Sequence, residues 1–174
     1  MSAYRKTKAI YSSKIPRRDD RVKWAYLAGL IDGDGTIHIQ FHPDRNYRNV
    51  MLGVGNTDRG IIEYLKNTFG GTVDKGYTTK GNKIFRCWTI NGSRVCKIFL
   101  IRLRPYLIIK KKQAEITLKF IDTFIADKPR YKTRPGYVRV IVTKNNELWS
   151  EREEQRKSLA LQNMILNKGD IIHA

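Results

Sequence analysis

A chain of 174 residues, 41% of them hydrophobic, suits one domain with tails and has enough apolar residues for a buried core. Its 34 Lys+Arg against 16 Asp+Glu leave a net charge of +18. That excess calls for an anionic partner, first of all nucleic acid, because phosphate contacts release counterions. No apolar run reaches a membrane-spanning length and no apolar signal region opens the chain, so neither a membrane partner nor secretion is expected. Cys87, Cys96 and the three histidines make no zinc spacing; structural thiols in an intracellular protein are expected.

Residues 1–20 are polar and basic, with Arg5, Lys6, Lys8, Lys14, Arg17 and Arg18 and no apolar period. They read as an N-terminal arm, either lying on phosphates or solvated. Arg21 to Asp32 reads as a helix that Asp19 or Asp20 can cap. Trp24, Leu27, Leu30 and Ile31 fall on overlapping apolar faces. Ala25, Gly29 and Gly33 recur every fourth residue and make a smooth stripe along which two helices can approach closely. Glycine weakens a helix by about 1 kcal/mol relative to alanine, so two of them imply a packing reason.

Thr36–Phe41 alternates as a strand, with Ile37, Ile39 and Phe41 on one face and Thr36, His38, Gln40 and His42 on the other. After the turn-like His42 to Asn46, a second strand runs from Arg48 to Asn56, its apolar face made by Val50, Leu52 and Val54. Asp58 caps a helix through Phe69, and Gly70-Gly71 stops it. Strands follow at Thr72–Tyr77 and Lys83–Ile90, then helices at Ser93–Leu103 and Lys111–Ala126. This order predicts an α+β fold, an αββαββα core over residues 21–126, with four strands in one antiparallel sheet and helices on one face. The open face, polar and basic, suits strand readers of a DNA major groove. His38, Gln40, His42, Arg48, Lys75, Lys83 and Arg86 are the candidate contacts, although the strand carrying Arg86 could face either way. His38 and His42 have no nearby acid to complete a metal site. Residues 128–136 read as a basic linker, and Tyr137–Thr143 as strand or helix. Glu147–Asn167 reads as a helix in a C-terminal helical extension, 127–174, that packs on the core.

The richest segment is Leu27-Ala28-Gly29-Leu30-Ile31-Asp32-Gly33-Asp34-Gly35. It sets two carboxylates where an apolar helix ends. A helix C-terminus carries partial negative charge, so acids there are repelled unless a cation sits nearby. Two acids, each followed by glycine, suggest a divalent metal site. The segment resembles, almost letter for letter, the name-giving motif of the LAGLIDADG homing endonucleases, with Gly33 where the family name has alanine. Pro105-Tyr106-Leu107-Ile108-Ile109-Lys110-Lys111-Lys112-Gln113-Ala114 is similar to the family's P-Y-L-x-x-K-x-x-Q block. Asn56-Thr57-Asp58-Arg59 with Ile61-Ile62 resembles the family's link from strand two to helix two.

The resemblance implies an intron-encoded, site-specific double-strand DNA endonuclease that hydrolyses phosphodiesters at a long, near-palindromic target and leaves short 3′ overhangs. Asp34 matches the metal-binding acid and Gly33 the residue whose carbonyl completes the shell. Mg2+ is the expected metal, with Mn2+ as substitute and Ca2+ supporting binding without cleavage. Asp32 matches a residue that supports the helix end. Lys110 matches a basic residue near the scissile phosphate and Asn56 a water-ordering amide, while Lys112 reads as a phosphate contact. The motif occurs once and two strands must be cut, so a homodimer through Ala25, Gly29 and Gly33 is implied. Competing readings are an intron RNA maturase or splicing cofactor, a non-catalytic DNA-binding regulator on the same fold, and a ribosomal-type RNA-binding protein. The last of these would not need two acids at a glycine-punctuated helix end.

Overall fold

The structure, a computed structural model, describes residues 15–17, 19–42, 47–126 and 146–167. Five helices and five strands follow in the order α1 (Arg21–Asp34), β1 (Gly35–His42), β2 (Tyr47–Asn56), α2 (Arg59–Phe69), β3 (Thr72–Val73), β4 (Tyr77–Thr78), β5 (Ile84–Asn91), α3 (Ser93–Leu103), α4 (Lys111–Ala126) and α5 (Asn146–Asn167). The expected α+β sheet with helices on one face is present. Most of the N-terminal arm, the linker and Tyr137–Thr143 lie outside the described residues.

The sheet runs β1-β2-β5-β3, all antiparallel, with β4 also on β5. It has five strands where four were expected, because Thr72–Tyr77 is not one strand. The Asp74 backbone N–H donates to Cys87 O and its carboxylate accepts from the Cys87 N–H. Gly76 then takes φ +76, a left-handed conformation that suits glycine and interrupts the ladder. Two strands of two residues result.

Alternation decides which face is buried. Ile37 and Ile39 from β1, Val50, Leu52 and Val54 from β2, and Trp88 and Ile90 from β5 all pack under the helices. Against them lie Trp24, Leu27, Ala28 and Ile31 of α1, Ile62, Leu65 and Phe69 of α2, and Phe99, Leu100 and Leu103 of α3. An aromatic cluster joins these layers, with Trp24 5.4 Å from both Phe69 and Phe99, edge to face. Both indoles find polar partners, Trp24 Nε1 on Arg17 O and Trp88 Nε1 on Gly70 O. Cys96 is buried, its thiol donating to Val50 O; burial pushes its pKa up to about 12.

Helix ends follow local chemistry, with one departure. Asp58 caps α2 through the Ile61 N–H, as expected. Asp20 precedes α1 but makes no side-chain cap; its carboxylate takes the Lys23 ammonium at 2.6 Å instead. Residues 15–17 are held to the core rather than standing free, because Arg102 donates to Pro16 O and Trp24 to Arg17 O.

Helix α5 lies along α4 and the outer edge of β1. Asn163 accepts from the Ile39 N–H and donates to Ile37 O, and Asn167 donates to the same carbonyl at 2.9 Å. Two amide side chains thus satisfy the backbone of an edge strand where a further strand would otherwise pair. The fully buried Arg156 guanidinium is held by Thr123 O and Oγ1 and by Glu153.

Candidate metal and nucleic-acid site

The site begins at the C-terminus of α1. Neither turn of this helix carries its own compensating charge: the first has no acid and the last no base. The cation comes from 78 residues further along the chain, where Lys110 Nζ donates to Ile31 O and Asp32 O, both at 2.8 Å. The ammonium thus joins the Gly35 N–H on Ile31 O, caps Asp32 O, and neutralises the negative end of the helix. Burial lowers the pKa of this lysine from its ordinary value, and the charges of Asp32 and Asp34 oppose that effect.

The two motif acids have different surroundings. Asp32 is engaged, accepting from the Ile108 N–H at 2.7 Å and the Lys110 N–H at 2.8 Å. It clamps the loop before α4 to the end of α1, a part fitting a residue that supports the helix end. Asp34 is exposed, and one carboxylate oxygen accepts from Asn56 Nδ2 at 3.1 Å. Asn56 is oriented in turn, because its Oδ1 accepts from the Asp58 N–H at 2.8 Å. Asp34, Asn56 and Lys110, separated in sequence, therefore meet at one helix end.

The glycines of the motif divide in the same way. A Cβ on Gly35 would stand 2.5 Å from Ile31 Cα and 3.0 Å from Gly53 O, so only glycine lets β1 leave α1 this closely. Gly29 and Gly33 have no atom within 4 Å of such a Cβ. With Ala25 they line an exposed face of α1 that also carries Val22, 81% exposed, and Tyr26. The smooth stripe points outward, and among the described residues nothing packs on Gly29 or Gly33.

Among the described residues no group of three or more His, Cys, Asp or Glu gathers to hold a metal. One chain offers the Asp34 carboxylate, whose second oxygen has no hydrogen-bond partner among the described residues, and the backbone of exposed Gly33. Such a donor set fits magnesium, which takes one or two carboxylates and completes its shell with water and substrate oxygens.

The open face of the sheet differs from the expectation. His38 and Gln40 lie on it, and Asn49 donates to Gln40 Oε1 at 3.3 Å across the β1–β2 pair. His42 and Arg48 end the hairpin strands, but their side chains are outside those described. Lys75 and Lys83 are exposed beside β4 and β5 rather than within a strand. Arg86, whose strand could face either way by sequence, shares the phase of Trp88 and Ile90, opposite Asn56, and so lies on the helix side of the sheet rather than the open face. The face expected to be polar and basic instead carries Met51, Gly53, Gly55, Phe85, Cys87 and Thr89 at its centre, since alternation from buried Trp88 leaves those positions outward. Lys112 is exposed on the first turn of α4.

Sequence reasoning missed three parts of this arrangement. The charge pattern asked for a cation at the end of α1 but did not locate Lys110 there. The need for Gly35 rests on a backbone approach, and the Asp74 clamp on β5 has no local signature beyond Asp-x-Gly.

The model of the LAGLIDADG endonuclease family matches residues 27–124. The chain is 28% identical over 100 residues to DNA endonuclease I-CreI of Chlamydomonas reinhardtii, a match that covers 56% of this chain and 61% of that relative. It therefore spans about three fifths of that relative's length. Its fold is similar to that of the homing endonuclease I-CvuI in complex with its target, with a TM-score of 0.62, 23% identity, and coverage of 89% of this chain and 88% of that one. It is also similar to the archaeal intron-encoded homing endonuclease I-Vdi141I complexed with DNA, with a TM-score of 0.58, 15% identity and coverage of 85% and 86%. With more than half of the chain matched by the family model and both motif acids at the end of α1, this protein belongs to the LAGLIDADG endonuclease family.

Proposed function

We propose that this protein is a homodimeric, magnesium-dependent endonuclease that cuts both strands of a long, near-palindromic DNA site. The observation that carries the reading is the Asp34 carboxylate, oriented by Asn56 at 3.1 Å, beside a lysine that neutralises the end of α1. A net charge of +18 supports a polyanionic substrate. The names of the relatives support DNA as that substrate: I-CvuI was solved with its target in 2 mM Ca, and with another target in 2 mM Mg, where the DNA was not cleaved.

Hydrolysis needs an activated water, in-line attack and neutralisation of the developing charge. Magnesium held by Asp34 and the Gly33 carbonyl would lower the pKa of a bound water and polarise the phosphoryl oxygens. Asn56 holds the carboxylate in place and presents an amide toward the same space. Lys110, anchored to the helix end, offers a positive charge close to where the leaving oxygen becomes anionic. Asp32 fixes the loop that carries this lysine. One motif supplies one such acid, and two strands require two. Pairing two α1 helices along Ala25, Gly29 and Gly33 would bring both Asp34 side chains together, which supports the dimer.

The test is cleavage of a randomised duplex library in magnesium. The reading expects a small set of related, near-palindromic sequences to be cut in both strands. Sequence-independent degradation, or no cutting, contradicts it.

A further inference from the structure

The end of the open sheet face nearest Asp34 is built for apolar contact rather than for hydrogen bonding. Gly55 lies one residue before Asn56, which bonds Asp34. The Phe85 ring lies across it: a Cβ at Gly55 would stand 2.3 Å from Phe85 Cζ and 3.2 Å from Cys87 Sγ. Glycine here leaves room for the edge of the ring. Tyr77, cross-strand from Phe85, continues the surface with ring centroids 5.3 Å apart, and is 62% exposed.

At Gly53 the surface is again methyl. The Thr36 and Thr89 Cγ2 atoms each stand 3.5 Å from the point where a Cβ would lie. The Thr89 hydroxyl is engaged elsewhere, at 2.9 Å from the Thr72 hydroxyl and accepting from Asn91 Nδ2 at 3.3 Å. Its methyl, not its hydroxyl, is what it turns to Gly53. Lys75, Lys80 and Lys83 are exposed beside the β4–β5 hairpin, where Asp74 accepts from the Cys87 N–H through one carboxylate oxygen. An aromatic and methyl surface bordered by cations suits the floor of a nucleic-acid groove. Of the base edges in a DNA major groove, only thymine presents a methyl group.

Resting on the endonuclease reading, we propose that the Gly53–Gly55 end of the sheet selects thymine by contact with its C5-methyl group, with Phe85 as the specificity-determining residue. The far end of the same face, where Gln40 and Asn49 are joined through their amides, is left to hydrogen-bond readout. Each half-site is then read in two chemistries, apolar beside the cut and polar away from it.

The experiment selects duplexes from a randomised library by binding in calcium, then compares the best duplex with copies in which deoxyuridine replaces thymidine one position at a time. Thymine should be enriched beside the central base pairs. Each methyl removed there should weaken binding by the wild-type protein about fourfold, the worth of one buried methylene, while deoxyuridine in the outer positions should cost nothing. Phe85→Ala should bind the thymidine duplex more weakly and no longer distinguish it from the deoxyuridine duplex. Equal binding of inner thymidine and deoxyuridine by the wild-type protein would overturn the proposal and leave the endonuclease reading intact. Failure to enrich any sequence would overturn both.

Discussion

At the scale of single residues, the two motif acids do different work because their surroundings differ. Asp32 spends its oxygens on the Ile108 and Lys110 backbone N–H groups, whereas one Asp34 oxygen has no hydrogen-bond partner among the described residues. Lys110 is tied to the first of them: its backbone is held by Asp32 and its ammonium by the carbonyls of Ile31 and Asp32. Such a lysine could serve only as a helix cap, or could also stabilise the transition state. Kinetics separates these. Lys110→Ala should slow cleavage about 100-fold, the order seen when a preorganised charge donor is removed, while affinity measured in calcium changes far less. Equal losses in rate and affinity would reduce Lys110 to a phosphate contact.

At the scale of elements, the helices and the long strands could be read from periodicity and caps, because each buries one face and ends at a local signal. The Asp58 cap, the Gly70 stop and the inward Ile37/Ile39 and Val50/Leu52/Val54 rows are of this kind. What could not be read depends on contacts distant in sequence. The break at Asp74–Gly76 needs β5 to supply the Cys87 N–H, and the face taken by Arg86 follows from Trp88 packing beside Phe69. Lys110 was legible as a site residue only through the resemblance of its block, and its cap on α1 only in three dimensions. The docking of α5 belongs here too. Asn163 is fully buried and joins Ile39 N, Ile37 O and Thr117 Oγ1. Asn163→Ala should therefore lower unfolding stability by about 1–3 kcal/mol, the penalty of leaving a buried backbone donor unpaired. A change within about 0.5 kcal/mol in chemical denaturation, the range of ordinary surface substitutions, would show that α5 does not protect the edge of β1.

At the scale of the whole molecule, the proposed dimer makes one exposed helix face and one acid half of a site for cutting two strands. Gly29 has nothing within 4 Å of an added Cβ, so Gly29→Leu should leave the folded subunit at least as stable. It should also block the close approach of two α1 helices. Sedimentation at micromolar concentration should show the native chain as a dimer and Gly29→Leu as a folded monomer that no longer cuts both strands. A native chain that is monomeric both free and on DNA would contradict the pairing. The most direct measurement takes the duplex that the native protein cuts in magnesium and offers it to Asp34→Asn. Cleavage should be abolished, while binding in calcium stays within a few fold of the native protein. Retained cleavage in magnesium would contradict the assignment of Asp34 as the metal-holding acid, and with it the endonuclease site at the end of α1.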